Sequence, residues 1–77
     1  MSEHAEGGSS IKTVLISARQ KAGLTQKELS RRTGIAQGDI SKLEHGNSNP
    51  SVRTLQRLAE GMGMTLRIEF VPDETEM

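Results

Sequence analysis

The sequence predicts an all-α domain, a small bundle of four helices, with one β-strand at the C-terminal end. Three observations indicate this class. Apolar residues recur three and four positions apart between residues 9 and 63, several helix start and stop signals divide that interval, and the apolar period changes to two after Gly63. We therefore expect a disordered tail or a non-native leader over 1–8, a helical domain over 9–63, a strand over 64–71 and an acidic tail over 72–77.

The first helix is predicted to begin at Ser9 or Ser10, either of which can cap it, and to stop at Gly23. Its apolar residues follow the i, i+3, i+4, i+7, i+11 spacing of a single stripe, which we expect to face the core. The stripe consists of Ile11, Val14, Leu15, Ala18 and Ala22.

The second helix has an unusually complete start signal in "LTQKEL". Thr25 stands at the N-cap with Glu28 three positions later, which is a capping box, and Leu24 and Leu29 are spaced as a hydrophobic staple. The segment "RRTG" should end this helix at Gly34.

The third helix is predicted over about 37–44, after a turn in which Ile35 drops into the core. Its N-cap position, Ala36, has no capping oxygen, so the carboxylate of Asp39 should supply the negative charge that favours a helix start. The fourth helix should follow Pro50 with Ser51 as its cap. Its inward positions are Val52, Leu55, Leu58, Ala59 and Met62.

The segment "MTLRIEFV" alternates apolar and polar residues, which is typical of a half-buried strand. A single strand has no partner within an otherwise helical chain. Its open edges must therefore be met by another molecule or by water.

Composition limits the kinds of site that this chain can build. The 77 residues include no Cys, Trp or Tyr and only one Phe, so disulfides and cysteine-based zinc sites are excluded. His4 and His45 have neither metal-ligand spacing nor a nearby nucleophile, and no Gly-rich loop follows a strand. We expect no catalysis, no metal and no cofactor. With no signal-like or membrane-spanning apolar run, we also expect a cytoplasmic protein without membrane contact.

The formal net charge is zero, but the charges are unevenly distributed. All ten Lys and Arg residues lie between Lys12 and Arg67, with only five acidic residues in that interval, which leaves it at +5. A basic domain with acidic tails suits nucleic-acid binding. Charge scattered without function in a small domain would look the same.

Two short helices joined by a tight turn, with "TQKEL" opening the first and "KLEHG" ending the second before a loop and "P-S", resemble the helix-turn-helix of the lambdoid phage Cro and repressor (XRE) family. The resemblance covers about residues 11–63. It implies that the helix over 37–44 is the recognition helix, which enters the DNA major groove, while the helix before it crosses the backbone. It also implies base contacts by Gln37, Gly38, Ser41 and Lys42.

The residue types on this helix agree with that role. On a helix that buries Ile40 and Leu43, the amide of Gln37 can pair with adenine N6 and N7, and Lys42 can reach guanine O6 or N7. Gly38 departs from the family, which usually carries a longer side chain there. It either permits close approach of the backbone to DNA or contributes no readout.

Phosphate contacts are expected from residues on both sides of the recognition helix, although each could instead be a solvated surface residue. These residues are Gln26, Lys27, His45, Asn47, Ser48 and Arg53. The resemblance further implies a partly buried structural ion pair between Arg19 and Glu44.

Phage repressors of this family normally continue with a fifth helix, and the strand predicted here instead is similar to the C-terminal strand of helix-turn-helix antitoxins. In those proteins such a strand can pair with its copy across a dimer axis. If two strands run antiparallel about Ile68, Leu66 faces Phe70 of the mate and Arg67 faces Glu69. The alternative is a strand that packs alone on its own helices.

Two functions follow. One is a sequence-specific repressor that binds a palindromic operator in double-stranded DNA as a homodimer. The other is an antitoxin whose main role is to bind a toxin protein, with repression secondary.

Overall fold

The helices of the structure begin and end close to the start and stop signals of the sequence. The structure is a computed structural model that describes residues 10–73. Four helices occur in this range, α1 (Ser10–Lys21), α2 (Gln26–Thr33), α3 (Gln37–Glu44) and α4 (Val52–Gly61). The prediction of four helices is confirmed. The expected tail over 1–8, a cap at Ser9 and most of the acidic tail lie outside the described residues.

The start of α2 is fixed by the predicted capping box. The Glu28 backbone N–H donates to Thr25 Oγ1 at 3.0 Å, and the Thr25 backbone N–H donates to Glu28 Oε1 at 2.8 Å. The second of these bonds holds the pKa of the Glu28 carboxyl below its usual range, because the ionised form is the better acceptor. The Ser51 hydroxyl caps α4 by accepting from the Thr54 backbone N–H at 3.1 Å, whereas Ala36 offers α3 no side-chain cap.

The core is a small cluster at the centre of the helices, where α1 packs on α3 and α2 packs on both α3 and α4. Leu29 and Ile40 are completely buried, and Leu24 and Ile35 pack against the cluster from the connecting segments. The buried apolar members are Leu15, Leu29, Ile40, Leu43, Leu58 and Ala59. Ile35 and the Leu24–Leu29 staple therefore lie where the sequence places them.

Three residues that the sequence assigned to the core are exposed. Ile11 is 48% exposed, Val14 62% and Val52 53%. The helices are short, so the outer half of the α1 stripe extends past the elements that could cover it. Val52 lies in the first turn of α4, beside the cap and beyond the core.

The predicted strand over 64–71 is not confirmed, since residues 10–73 include no strand. The backbone N–H of Met64 donates to Ala59 O at 2.8 Å, but residues 65–71 have no backbone hydrogen-bond partner in the described chain. A strand is defined by its hydrogen bonds to a neighbouring strand, and residues 10–73 contain no second strand that could pair with this segment. The predicted alternation is nonetheless visible at its start, because Met64 and Leu66 are half-buried while Thr65 and Arg67 are exposed.

Across residues 10–73, the helices are too short and too polar for any of them to cross a bilayer.

Close contact between α2 and α4 depends on Gly61. A Cβ at this position would overlap Thr33 Cγ2 and would lie 3.3 Å from Leu29 Cδ1. Gly38, by contrast, has no atom within 4 Å of its hypothetical Cβ. A methyl group therefore fits at Gly38 and collides with α2 at Gly61.

We predict that Gly61→Ala lowers the free energy of unfolding by about 1–3 kcal/mol, because either the Thr33 side chain must leave its hydrogen bonds to Leu29 O and the Ile35 N–H or the two helices must move apart. Gly38→Ala should raise it by about 1 kcal/mol through helix propensity alone. Chemical denaturation of the two variants measures both effects. A Gly61→Ala variant as stable as Gly38→Ala would contradict the close-contact explanation.

Candidate nucleic-acid interface

One face of α3 is held by the core and the other is open. Ile40 is completely buried and Leu43 is 6% exposed, whereas Gln37, Gly38 and Lys42 are exposed. Ser41 is half-buried beside them. The four residues expected to contact bases thus lie on the solvent side of a helix that is fixed from behind.

The turn before α3 is closed by local hydrogen bonds. Gly34 adopts the left-handed conformation (φ 78°), and its N–H donates to Ser30 O at 2.8 Å. The Ser30 hydroxyl donates to Ile35 O at 2.6 Å, and the Ile35 N–H donates to Thr33 Oγ1 at 3.1 Å. These bonds fix the orientation of α3 relative to α2.

The far end of α3 is fixed by a charged network. Arg19 on α1 donates from Nε to Glu44 Oε2 at 2.7 Å and from Nη2 to Glu44 Oε1 at 2.9 Å. Its Nη1 donates to Leu24 O at 2.9 Å. The Glu44 side chain is only 5% exposed and that of Arg19 15%. This is a partly buried, bidentate ion pair that ties α1 to the last residue of α3.

The protonation of Glu44 reflects two opposed effects. Burial acts to raise the pKa of the carboxyl, but hydrogen bonds from Arg19 and Gln26, with the positive charge of Arg19, outweigh it and place the pKa below its usual range. The same hydrogen bonding raises the pKa of the Arg19 guanidinium. Both groups are therefore charged at neutral pH.

Gln26 occupies a different position from the one expected of a free phosphate ligand. Its Nε2 donates to Glu44 Oε1 at 3.0 Å, and the residue is half-buried. One hydrogen of the amide is thus used inside the protein, and the second remains for another acceptor. Sequence analysis missed this link between α2 and α3.

His45 follows α3 and is held by the helix end. Its Nδ1 lies 2.7 Å from Ser41 O and 3.5 Å from the Ser41 hydroxyl oxygen. Because a carbonyl oxygen can only accept, the short contact assigns the proton to Nδ1. Nε2 then faces away without a partner in the described chain, and it can donate to an anion only when the ring is protonated.

The remaining phosphate candidates surround α3. Lys27 lies in the first turn of α2, Asn47 and Ser48 in the loop after α3, and Arg53 in the first turn of α4, and all four are exposed. The loop begins at Gly46 in the left-handed conformation (φ 76°), and the Asn47 N–H donates to Lys42 O at 2.9 Å. The loop backbone is therefore folded against the end of α3.

Arg57 is a second residue that sequence analysis missed. Its Nη2 donates to Thr33 O at 2.7 Å, so α4 contacts the last residue of α2 at the turn. Arg57 and Lys42 also line a cleft of about 430 Å³ between α3 and α4. No spacing rule in the sequence points to this contact, because it joins residues 24 positions apart.

A search of residues 10–73 for three or more metal-ligating side chains in one place finds no such group.

Two helices joined by a three-residue turn, with the second helix held from behind and open in front, define a helix-turn-helix domain. A helix-turn-helix family model matches residues 15–68, and the chain belongs to that family. This match includes α2, the turn, α3 and α4.

Curated relatives share most of this chain. It is 44% identical over 59 residues to the HTH-type transcriptional regulator y4dJ of Sinorhizobium fredii, which covers 74% of this chain and 75% of the relative. It is 41% identical over 54 residues to an HTH-type transcriptional regulator of Haemophilus influenzae, covering 70% of this chain and 55% of the relative. It is 35% identical over 66 residues to the antitoxin HigA1 of Mycobacterium tuberculosis, covering 86% and 44%. The chain thus spans about half the length of the last two proteins.

Proposed function

We propose that this protein is a sequence-specific DNA-binding transcriptional regulator that acts as a repressor, with α3 in the major groove. The observation that carries the proposal is the two-sided character of α3. Its apolar side chains are buried, while Gln37 and Lys42 are exposed on a rigidly held helix of a helix-turn-helix family member. The relatives named as transcriptional regulators support the same role.

Base recognition is assigned to the open face of α3. Gln37 would read adenine through its amide, Lys42 guanine, and the Ser41 hydroxyl either a donor or an acceptor. Gly38 has open space around it and an ordinary helical backbone, so no contact inside the protein requires glycine there. Gly38 therefore either allows close approach of the α3 backbone to DNA or contributes no readout.

Phosphate contacts are assigned to the ring of residues around this face. Lys27 and Arg53 supply charge, Asn47 and Ser48 supply neutral donors, and protonated His45 supplies Nε2–H. Gln26 would contribute its second amide hydrogen, while the first holds Glu44. Contacts of this kind set affinity and position without selecting sequence.

A homodimer on a palindromic operator is the second part of the proposal. Ile68 is 59% exposed, Phe70 100% and Val71 74%, and the backbone of 65–71 lacks hydrogen-bond partners within the described chain. Arg67 Nε lies 3.0 Å from Glu69 Oε2, so these two charges share one face. Two antiparallel copies centred on Ile68 would satisfy the backbone and pair Arg67 with Glu69 of the mate.

Ile68→Pro should convert the dimer into a monomer, because proline removes a ladder donor at the proposed two-fold axis. Sedimentation or light scattering of Ile68→Pro and of the matched Ile68→Val control measures the mass. Ile68 is exposed, so neither change should disturb the helices. A proline variant that stays dimeric would exclude this strand pairing.

The DNA-binding proposal is tested by selecting the fragments of the source genome that this protein binds. The affinity of the protein for those fragments is then measured at increasing salt concentration. We expect a palindromic consensus with half-sites about one helical turn apart and a steep fall in affinity as salt rises. Failure to enrich any sequence, with binding that is equal on all DNA, would refute the assignment.

A specific comparison favours the antitoxin alternative, in which the protein chiefly binds a toxin. This chain is similar to an antitoxin over 86% of its length. The discriminating observation is the neighbouring reading frame. A small toxin-like gene whose product copurifies with this chain would support the alternative, and DNA binding would then serve autoregulation.

A further inference from the structure

An apolar groove lies between α1 and α4, and no residue of α3 lines it. Its volume is about 580 Å³, and residues 64–68 form one wall. The apolar side chains around its opening include Ile11, Val14, Leu55, Met62 and Leu66.

The outer part of this groove is uncovered. Ile11 and Val14 are about half exposed or more, although the α1 sequence patterns them as core residues. Within the wall formed by residues 64–68, Met64 and Leu66 are half-buried while Thr65 and Arg67 are exposed. Continuing this alternation gives Phe70, which is fully exposed. The chain therefore carries an unfilled apolar groove and, two residues beyond its wall, an unburied aromatic side chain.

We propose that the groove receives Phe70 of a second copy of this chain. The inference rests on the strand pairing proposed above and adds the side chain that fills the groove of each domain. In the register centred on Ile68, Phe70 of one copy lies opposite Leu66 of the other, and Leu66 lines the groove. Phe70 of the mate is thereby placed over Val14 and Ile11 on the same face of the strand.

Charge complementarity selects a second copy as the occupant. Arg67 and Glu69 lie on the face opposite Leu66, and in this register each faces one opposite charge of the mate, which gives two such pairs about the two-fold axis. The pairing satisfies backbone groups, charges and apolar surface together with residues of this chain alone.

A single tryptophan tests the occupant directly, because the sequence contains neither Trp nor Tyr. In Phe70→Trp, we expect blue-shifted emission and protection from acrylamide quenching at concentrations where the mass is that of a dimer. Both signals should revert to those of exposed indole when dilution yields the monomer, since position 70 is fully exposed in one copy. Val71→Trp is the matched control on the opposite face and should stay exposed throughout.

A second variant blocks the groove without affecting the core. Val14→Glu changes an exposed residue, and in the Phe70→Trp background it should abolish the blue shift and weaken dimerisation roughly tenfold. Buried emission from a monomer would show that Phe70 enters its own groove, and exposed emission from a dimer would show that pairing leaves the groove empty. Either result overturns this inference while DNA binding stands. Exposed emission from a monomer at every concentration overturns both the groove occupant and the proposed dimer.

Discussion

The Gln37→Ala/Lys42→Ala variant should lose roughly 10² to 10⁴-fold of its preference for a selected operator over random DNA. Each of these side chains is proposed to contact a base edge, and a good base contact contributes about 1–3 kcal/mol of discrimination. Both side chains are exposed, and the buried face of α3 is untouched, so the fold should be retained. Competition binding against the operator and against random DNA measures the preference.

The matched control changes the same residue types away from α3. Gln56 and Lys21 are exposed on α4 and at the end of α1, and Gln56→Ala/Lys21→Ala removes one amide and one amine as well. This control should keep operator preference while it lowers total affinity slightly through the lost charge. Equal loss of preference in the two double variants would refute the assignment of α3 as the recognition helix.

Glu44→Gln should lower the free energy of unfolding by about 3 kcal/mol, because it leaves the Arg19 guanidinium poorly solvated without an opposite charge. The Arg19 side chain is 15% exposed, and its two bonds to Glu44 are 2.7 and 2.9 Å long. A small domain has a stability of only about 5–15 kcal/mol, so a loss of this size is a large fraction of the total. Urea denaturation at neutral pH measures it.

The pH dependence of this difference has a defined sign. The pKa of Glu44 is lower in the folded chain than in the unfolded chain, where a glutamate titrates near ~4.3. The stabilisation by the carboxylate is therefore complete above that value and is lost as pH falls through the folded pKa. The stability gap between wild type and Glu44→Gln should accordingly narrow in acid.

Glu60→Gln provides the control, because it makes the same chemical change at an exposed position on α4. It should change stability by less than about 0.5 kcal/mol at any pH. A Glu44→Gln variant that is as stable as this control, or a gap that widens in acid, would contradict the ion-pair account.

Local signals in the sequence were sufficient to predict the helices. The Thr25–Glu28 capping box and the glycines that follow α1 and α2 act within four residues, so they are readable without tertiary structure. Burial of Ile11 and Val14 was predicted wrongly, because periodicity shows which face is apolar but not how far the opposing elements extend. The predicted strand is not confirmed, since residues 65–71 have no backbone hydrogen-bond partner within the described chain.

The sequence predicted the exposed face of a single helix, but it did not predict side-chain contacts between different helices. The exposed position of Lys42 follows from the burial of Ile40 and Leu43, which lie three residues apart on the opposite face of α3. The contacts of Gln26 with Glu44 and of Arg57 with Thr33 join distant segments. Only the packing of the helices brings those atoms together.

The position of Arg19 has a consequence for operator geometry. α1 carries Val14 near one end and the Arg19 clamp on α3 near the other, about 7–8 Å apart along the helix at 1.5 Å per residue. In the proposed dimer, α1 would join the groove that receives Phe70 of the mate to the recognition helix held by Arg19. The spacing of the two half-sites would then depend on the rigid attachment of α1, a helix to which no base contact is assigned.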